Sequence, residues 1–190
     1  MPKIIKDIEE KISSASIRLF GEYGYESVDM KLIAKESGVA VGTLYNYYSR
    51  KSELFLEVFV KSWEKTLSKL KEEKNKDISK EKKINKYLEI LYDDIEMRKG
   101  IGNQIIKIDF NIKNSREREQ FVYFKEKIIG EIQEIFNEQI SADVIEKKYD
   151  ISLRLIETIF SVIRVMIENH KEDRRDNLDF LNTIFLSFMK

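Results

Sequence analysis

The sequence predicts an all-α protein: an N-terminal three-helix domain containing a helix-turn-helix, then a larger helical domain, about nine helices in total. Three observations carry this. The 190 residues include one proline, Pro2, and seven glycines, too few turn-formers for an all-β sandwich. Glu, Lys, Leu and Ile dominate, and these favour helices. Apolar residues recur at three- and four-residue spacing along most of the chain.

The first stripe is Ile4, Ile5, Ile8, Ile12, Ala15, Leu19 and Phe20, with Gly21 and Gly24 bracketing its end. Asp29, or alternatively Ser27, is placed to cap a short helix over about 30–36. Gly38 ends that helix, because glycine takes the left-handed conformation of a helix exit without a Cβ penalty. Val39 then acts as a buried plug, and Val41 to Tyr47 form a second short helix with only Ala40 at its cap position. Two short helices joined by a glycine-containing turn describe a helix-turn-helix.

A long helix follows over about 51–74, with Leu54, Phe55, Val58, Phe59, Trp63 and Leu70 as its stripe. The charged stretch 71–83 reads as a solvated helix end and a loop. A helix resumes near 81–98, Gly100 and Gly102 break it, and a shorter segment runs to Phe110. Another spans about 115–139, where Gly130 marks a close helix contact or a kink. The most apolar helix lies within 143–170, and after the polar turn HKEDRRDN a last helix begins near Leu178. Leu153, Ile163 and Val165 leave the 151–167 segment apolar on more than one face, so it must be covered on nearly all sides. Either its own chain covers it, or two such helices from each of two chains form a four-helix bundle.

Composition narrows the chemistry. With no cysteine and a single histidine, His170, a thiolate metal site, a cysteine nucleophile and a multi-histidine centre are excluded; no metal or cofactor is expected. No apolar run approaches a bilayer span and the N-terminus lacks a signal-peptide core, so a cytoplasmic protein is expected. Basic and acidic residues balance at 34 each; over 1–51, eight minus seven leaves +1. A nucleic-acid partner must therefore be argued from where charges sit. Glu89, Asp93, Asp94 and Glu96 lie close on one helix, but no partner motif accompanies them, which argues against an enzyme.

The run from Phe20 to Phe55 resembles the N-terminal domain of the TetR (tetracycline-repressor-like) family of transcriptional regulators. The matching pieces are Phe20, Gly24-Tyr25, Ile33-Ala34, Gly38-Val39, Gly42-Thr43-Leu44-Tyr45, Tyr48, Lys51 and Glu53-Leu54. The resemblance implies residues 1–50 as the DNA-binding domain and 51–190 as a ligand-binding and dimerisation domain. It implies a homodimer on a roughly palindromic double-stranded operator, acting as a repressor released by a small, apolar effector.

On the matching positions, Lys31 reaches a base or phosphate, and Val41 and Gly42 open the recognition helix. Valine at 41 offers only an apolar contact, such as a thymine methyl. Thr43 and Tyr47 carry hydroxyls suited to phosphate, Tyr45 suits a base methyl or the backbone, and Asn46 suits an adenine edge. Arg50 stands where the family often has a small cap and adds a phosphate contact; Lys51 shares a phosphate with the following helix N-terminus. Trp63, Tyr87, Tyr92, Phe110, Phe121 and Phe124 either line an apolar effector cavity or simply build the core. The last two helices would pair the subunits through Leu155, Ile159, Ile163, Met166, Leu181, Phe185 and Phe188. A helical protein-interaction adaptor with a repurposed helix-turn-helix is the alternative.

Overall fold

A computed structural model describes residues 3–98, 115–140 and 151–187. Among them every regular element is an α-helix: α1 (Lys3–Ser27), α2 (Met30–Ser37), α3 (Val41–Tyr47), α4 (Lys51–Lys74), α5 (Lys80–Arg98), α6 (Ser115–Asn137), α7 (Ile151–Asn169) and α8 (Arg174–Ser187). The ninth segment, expected between Gly100 and Phe110, lies outside the described residues, as do Phe188 and the side chains of Ile4 and Ile5. No helix among the described residues is long and apolar enough to cross a membrane.

The chain divides into two compact units. One takes in the described residues up to Ser62, with Arg98 and 115–123; the other takes in Trp63–Met97 and the described residues from Phe124 onward.

In the first unit, α1 turns Ile12, Leu19 and Phe20 inward, each no more than 2% exposed. Phe55 of α4 is the hub: its ring meets Phe20 edge-on at 5.1 Å, Tyr25 at 5.0 Å and Phe121 of α6 at 6.3 Å. Such pairs add to the area they bury, because the positive edge of one ring meets the negative face of another. Gly24 breaks the helical run of α1 at φ 77°, so Tyr25–Ser27 leave on a new heading. The guanidinium of Arg98, 1% exposed, donates to the Ser62 carbonyl at 2.8 Å.

In the second unit, Trp63 of α4 meets Phe160 of α7 edge-on at 5.6 Å, and Tyr87 of α5 lies against Phe136 of α6 at 5.2 Å. The acidic run of α5 ties helices together. Buried Asp94 accepts from the Thr66 hydroxyl at 2.8 Å and the Lys69 ammonium at 2.6 Å. Asp93 takes a two-pronged bond from Arg174 of α8, at 2.8 and 2.7 Å. Glu89 is held below the ordinary carboxylate range, first by the hydrogen bond from Lys86 and then by Arg174. That tie is therefore intact at neutral pH and weakens only as Glu89 is protonated in acid.

Two expectations are corrected here. The last helix starts at Arg174 rather than near Leu178: the Asn177 amide donates to the Asp173 carbonyl at 2.8 Å, closing the first turn within the polar stretch. Gly130 marks neither a kink nor a close contact, since α6 runs through it and an added Cβ would meet nothing within 4 Å. Gly130→Ala is accordingly expected to raise stability by about 1 kcal/mol, from helix propensity alone, in a urea unfolding curve.

Candidate nucleic-acid interface

The candidate interface is α2, the turn after it, and α3. Asp29 caps α2 as expected, accepting from the Leu32 amide at 2.7 Å; Ser27 instead ends α1. Met30, Ile33, Ala34 and Ser37 are its buried side, and Lys31 and Lys35 face solvent. Gly38 closes the helix in the left-handed region at φ 67°. Its amide donates to the Lys35 carbonyl at 3.2 Å and the Val39 amide to the Ala34 carbonyl at 3.0 Å, the double bond of a Schellman exit. Val39 is half-buried rather than a fully buried plug. Arg18 of α1 pairs with Glu36 and so pins the outer side of α2.

In α3 Leu44 is the buried residue, at 0% exposure. Helical geometry puts Val41 and Tyr45 one turn apart, with Gly42 and Asn46 beside them, away from Leu44. All four are exposed, and Thr43 and Tyr47 flank them half-buried. An α-helix is about 10–12 Å across with its side chains, which matches a major groove about 12 Å wide. Ala40 gives no side-chain cap, as its identity implied. Tyr48 ends α3; its buried hydroxyl donates to Glu57 of α4 at 2.8 Å, and burial, then that carboxylate, pushes its ionisation well up.

At the start of α4, Arg50 is exposed and Glu53 reaches back to accept from the Ser49 amide at 2.9 Å and hydroxyl at 2.8 Å. Both bonds end on the same carboxylate oxygen of Glu53, so the first turn of α4 holds the residue that precedes Arg50. Lys51 makes a contact that the sequence does not signal. Its ammonium turns back to donate to the Tyr25 carbonyl at 2.7 Å, with Glu26 O at 3.5 Å and the Tyr25 ring centroid at 4.2 Å. No sequence signal marked Tyr25 as its partner, because backbone carbonyls carry no residue code.

The pattern of the bacterial regulatory proteins of the tetR family matches residues 12–58, from within α1 to the first half of α4. The chain carries the tetR-family N-terminal domain. It is 31% identical over 103 residues to the uncharacterized HTH-type transcriptional regulator YuxN of Bacillus subtilis, covering 54% of this chain and 35% of that one. It is 41% identical over 54 residues to an HTH-type transcriptional regulator of Staphylococcus aureus, covering 28% and 29% respectively. The match thus spans about a third of the length of these relatives.

Two solved structures share the fold. The fatty acid degradation regulator FadR from Bacillus halodurans superposes with a TM-score of 0.73 at 16% identity, covering 95% of this chain and 99% of that one. FadR from Bacillus subtilis, solved in complex with stearoyl-CoA, gives 0.71 at 18% identity, covering 95% and 97%.

Outside the tetR-family domain, the expected effector residues are distributed as follows. Trp63, Tyr87 and Tyr92 are fully buried in the second unit, where Tyr92 accepts from Asn177 at 2.9 Å. Burial pushes the Tyr87 hydroxyl up to about 12. Phe124 is half-buried in that unit, Phe121 is core of the first unit, and Phe110 lies outside the described residues.

Of the expected dimer residues, Leu155, Ile159, Ile163, Met166, Leu181 and Phe185 are each at most 8% exposed within one chain. Among the described apolar side chains of α7 and α8, Val165 and Phe180 are half exposed, and Leu153, Val162, Ile167, Leu178, Ile184 and Leu186 are partly exposed.

Proposed function

We propose that the protein is a DNA-binding transcriptional regulator of the tetR-family type that acts as a homodimer. The observation that carries this is the tetR-family helix-turn-helix, whose α3 hides Leu44 and presents Val41, Gly42, Tyr45 and Asn46 outward. Such a face fits base edges at the groove floor, with the hydroxyls of Thr43 and Tyr47 and the charges of Lys31 and Arg50 directed to phosphates. The face carries little charge, so affinity leans on hydroxyls and helix ends, and DNA shape contributes to selectivity.

Two copies joined through Val165, Phe180 and their apolar neighbours would set two α3 helices about 34–36 Å apart, or a multiple of that, on a near-palindromic site. Repression relieved by an effector with a long apolar part is the favoured sign. An effector seated among the second unit's aromatic residues suits this, and the stearoyl-CoA of a protein with the same fold supports it.

Selection from a random duplex pool, followed by binding to the winner over a salt series, tests the DNA reading. Tyr45→Ala is expected to weaken the selected duplex by about 1–3 kcal/mol with unchanged thermal stability. Thr43→Ala should weaken any duplex to a similar degree. A pool that never enriches would overturn the reading and favour the interaction adaptor. Titration with a long-chain acyl-CoA tests the effector: coupling is reciprocal, so an acyl-CoA that loosens the duplex must itself bind the duplex complex less tightly.

A further inference from the structure

We propose that Lys51 is a positioning residue of the DNA reader, holding the α1–α2 connection through the Tyr25 carbonyl and ring, and not a phosphate ligand. The proposal rests on the DNA-binding reading above and assigns one of its cations a different task.

Three observations support it. The break at Gly24 takes Tyr25 and Glu26 out of the helical run of α1. Carbonyls at a helix exit need outside donors, and a lysine is well suited to supply them because negative charge gathers there. Lys51 does so, at 2.7 Å to Tyr25 O and a long 3.5 Å to Glu26 O.

The ammonium also sits 4.2 Å from the Tyr25 ring centroid, on the π face that attracts a cation. That ring is 9% exposed and wedged against Phe20 of α1 and Phe55 of α4. The clasp therefore grips a fixed point. Finally, its carbonyl contacts lie within four residues of Asp29, which caps α2. Whatever fixes Tyr25 and Glu26 sets where α2 starts, and α2 carries the turn and α3. A phosphate would have to compete for an ammonium already engaged by a carbonyl and by the face of a ring.

The test compares Lys51→Met, which keeps the stem and removes the head, with Lys51→Gln, which keeps a donor and removes the charge. Each is measured by fluorescence anisotropy on the duplex selected by the wild-type protein and on a scrambled duplex, across a salt series. Thermal melting shows that each variant is folded, and the glutamine variant carries the test if the methionine variant is not.

Lys51→Met is expected to weaken the selected duplex about tenfold while leaving the scrambled duplex within about twofold, since displacement of a reader spares backbone contacts. The slope of log K against log salt should stay at the wild-type value, and Lys51→Gln should recover most of the selective binding. A slope shallower by about 0.9 in both variants, with both duplexes weakened, identifies a phosphate ligand and overturns the proposal. Wild-type affinity in both variants overturns it as well. If the wild-type protein itself selects no duplex, the DNA reading fails, and this assignment fails with it.

Discussion

Leu44→Ala is expected to cost about 2–5 kcal/mol and to abolish selection between DNA sequences while leaving weak, salt-sensitive binding in place. The size follows from how little holds α3. A helix of seven residues has no independent stability in water, since its nucleation cost is repaid only by tertiary packing. Leu44, at 0% exposure, supplies that packing from within α3, and Ala40 adds no side-chain cap. Truncation removes three heavy atoms and leaves a void beneath a helix with few other anchors. α3 should fray, carrying Val41, Tyr45 and Asn46 out of register with the base edges. Urea unfolding and anisotropy on the selected and scrambled duplexes check the two halves. Wild-type stability, or selectivity preserved with stability lost, would show that α3 is anchored elsewhere. Tyr45→Ala, on the exposed side of the same helix, is the matched control: it should lose binding and keep stability.

The contrast between these residues shows what the sequence could reveal. Local determinants were legible to within a residue or so. Asp29 caps α2, Gly38 takes the left-handed exit, and α4 spans Lys51–Lys74 as its stripe predicts. Each of these is decided by neighbours within one or two turns. Contacts between distant residues were not legible. Lys51 and Tyr25 are 26 positions apart, and a lysine at a helix start reads equally well as a phosphate ligand or as a clasp.

The start of α8 was missed for a related reason. Periodicity begins at Leu178, but Arg174, whose partner Asp93 is 81 positions away, already lies in the helix. Along α7 and α8, periodicity picks out the strongest apolar stripe, and that is the stripe a single chain buries first. Val165 and Phe180 lie off the stripe, so surface left for a partner has to be read by subtraction.

Trp63→Ala is expected to lower stability by about 3–5 kcal/mol, and the melting temperature by roughly 6–20 °C for a chain of this size. The indole is 0% exposed and meets the Phe160 ring edge-on, so its removal opens a large apolar void between α4 and α7. Such a void stays dry and accepts a flat apolar guest. Millimolar indole should therefore restore part of the lost melting temperature in Trp63→Ala and do nothing for the wild-type protein. Trp63→Phe should lose less, since it keeps a ring in the site. The experiment also separates two roles that the sequence leaves open for this residue. A core tryptophan loses stability on truncation and regains part of it from indole. A tryptophan lining a preformed effector cavity loses little stability, and truncation changes acyl-CoA binding instead. Full burial against Phe160 favours the first outcome, and an unchanged melting temperature with altered acyl-CoA affinity would establish the second.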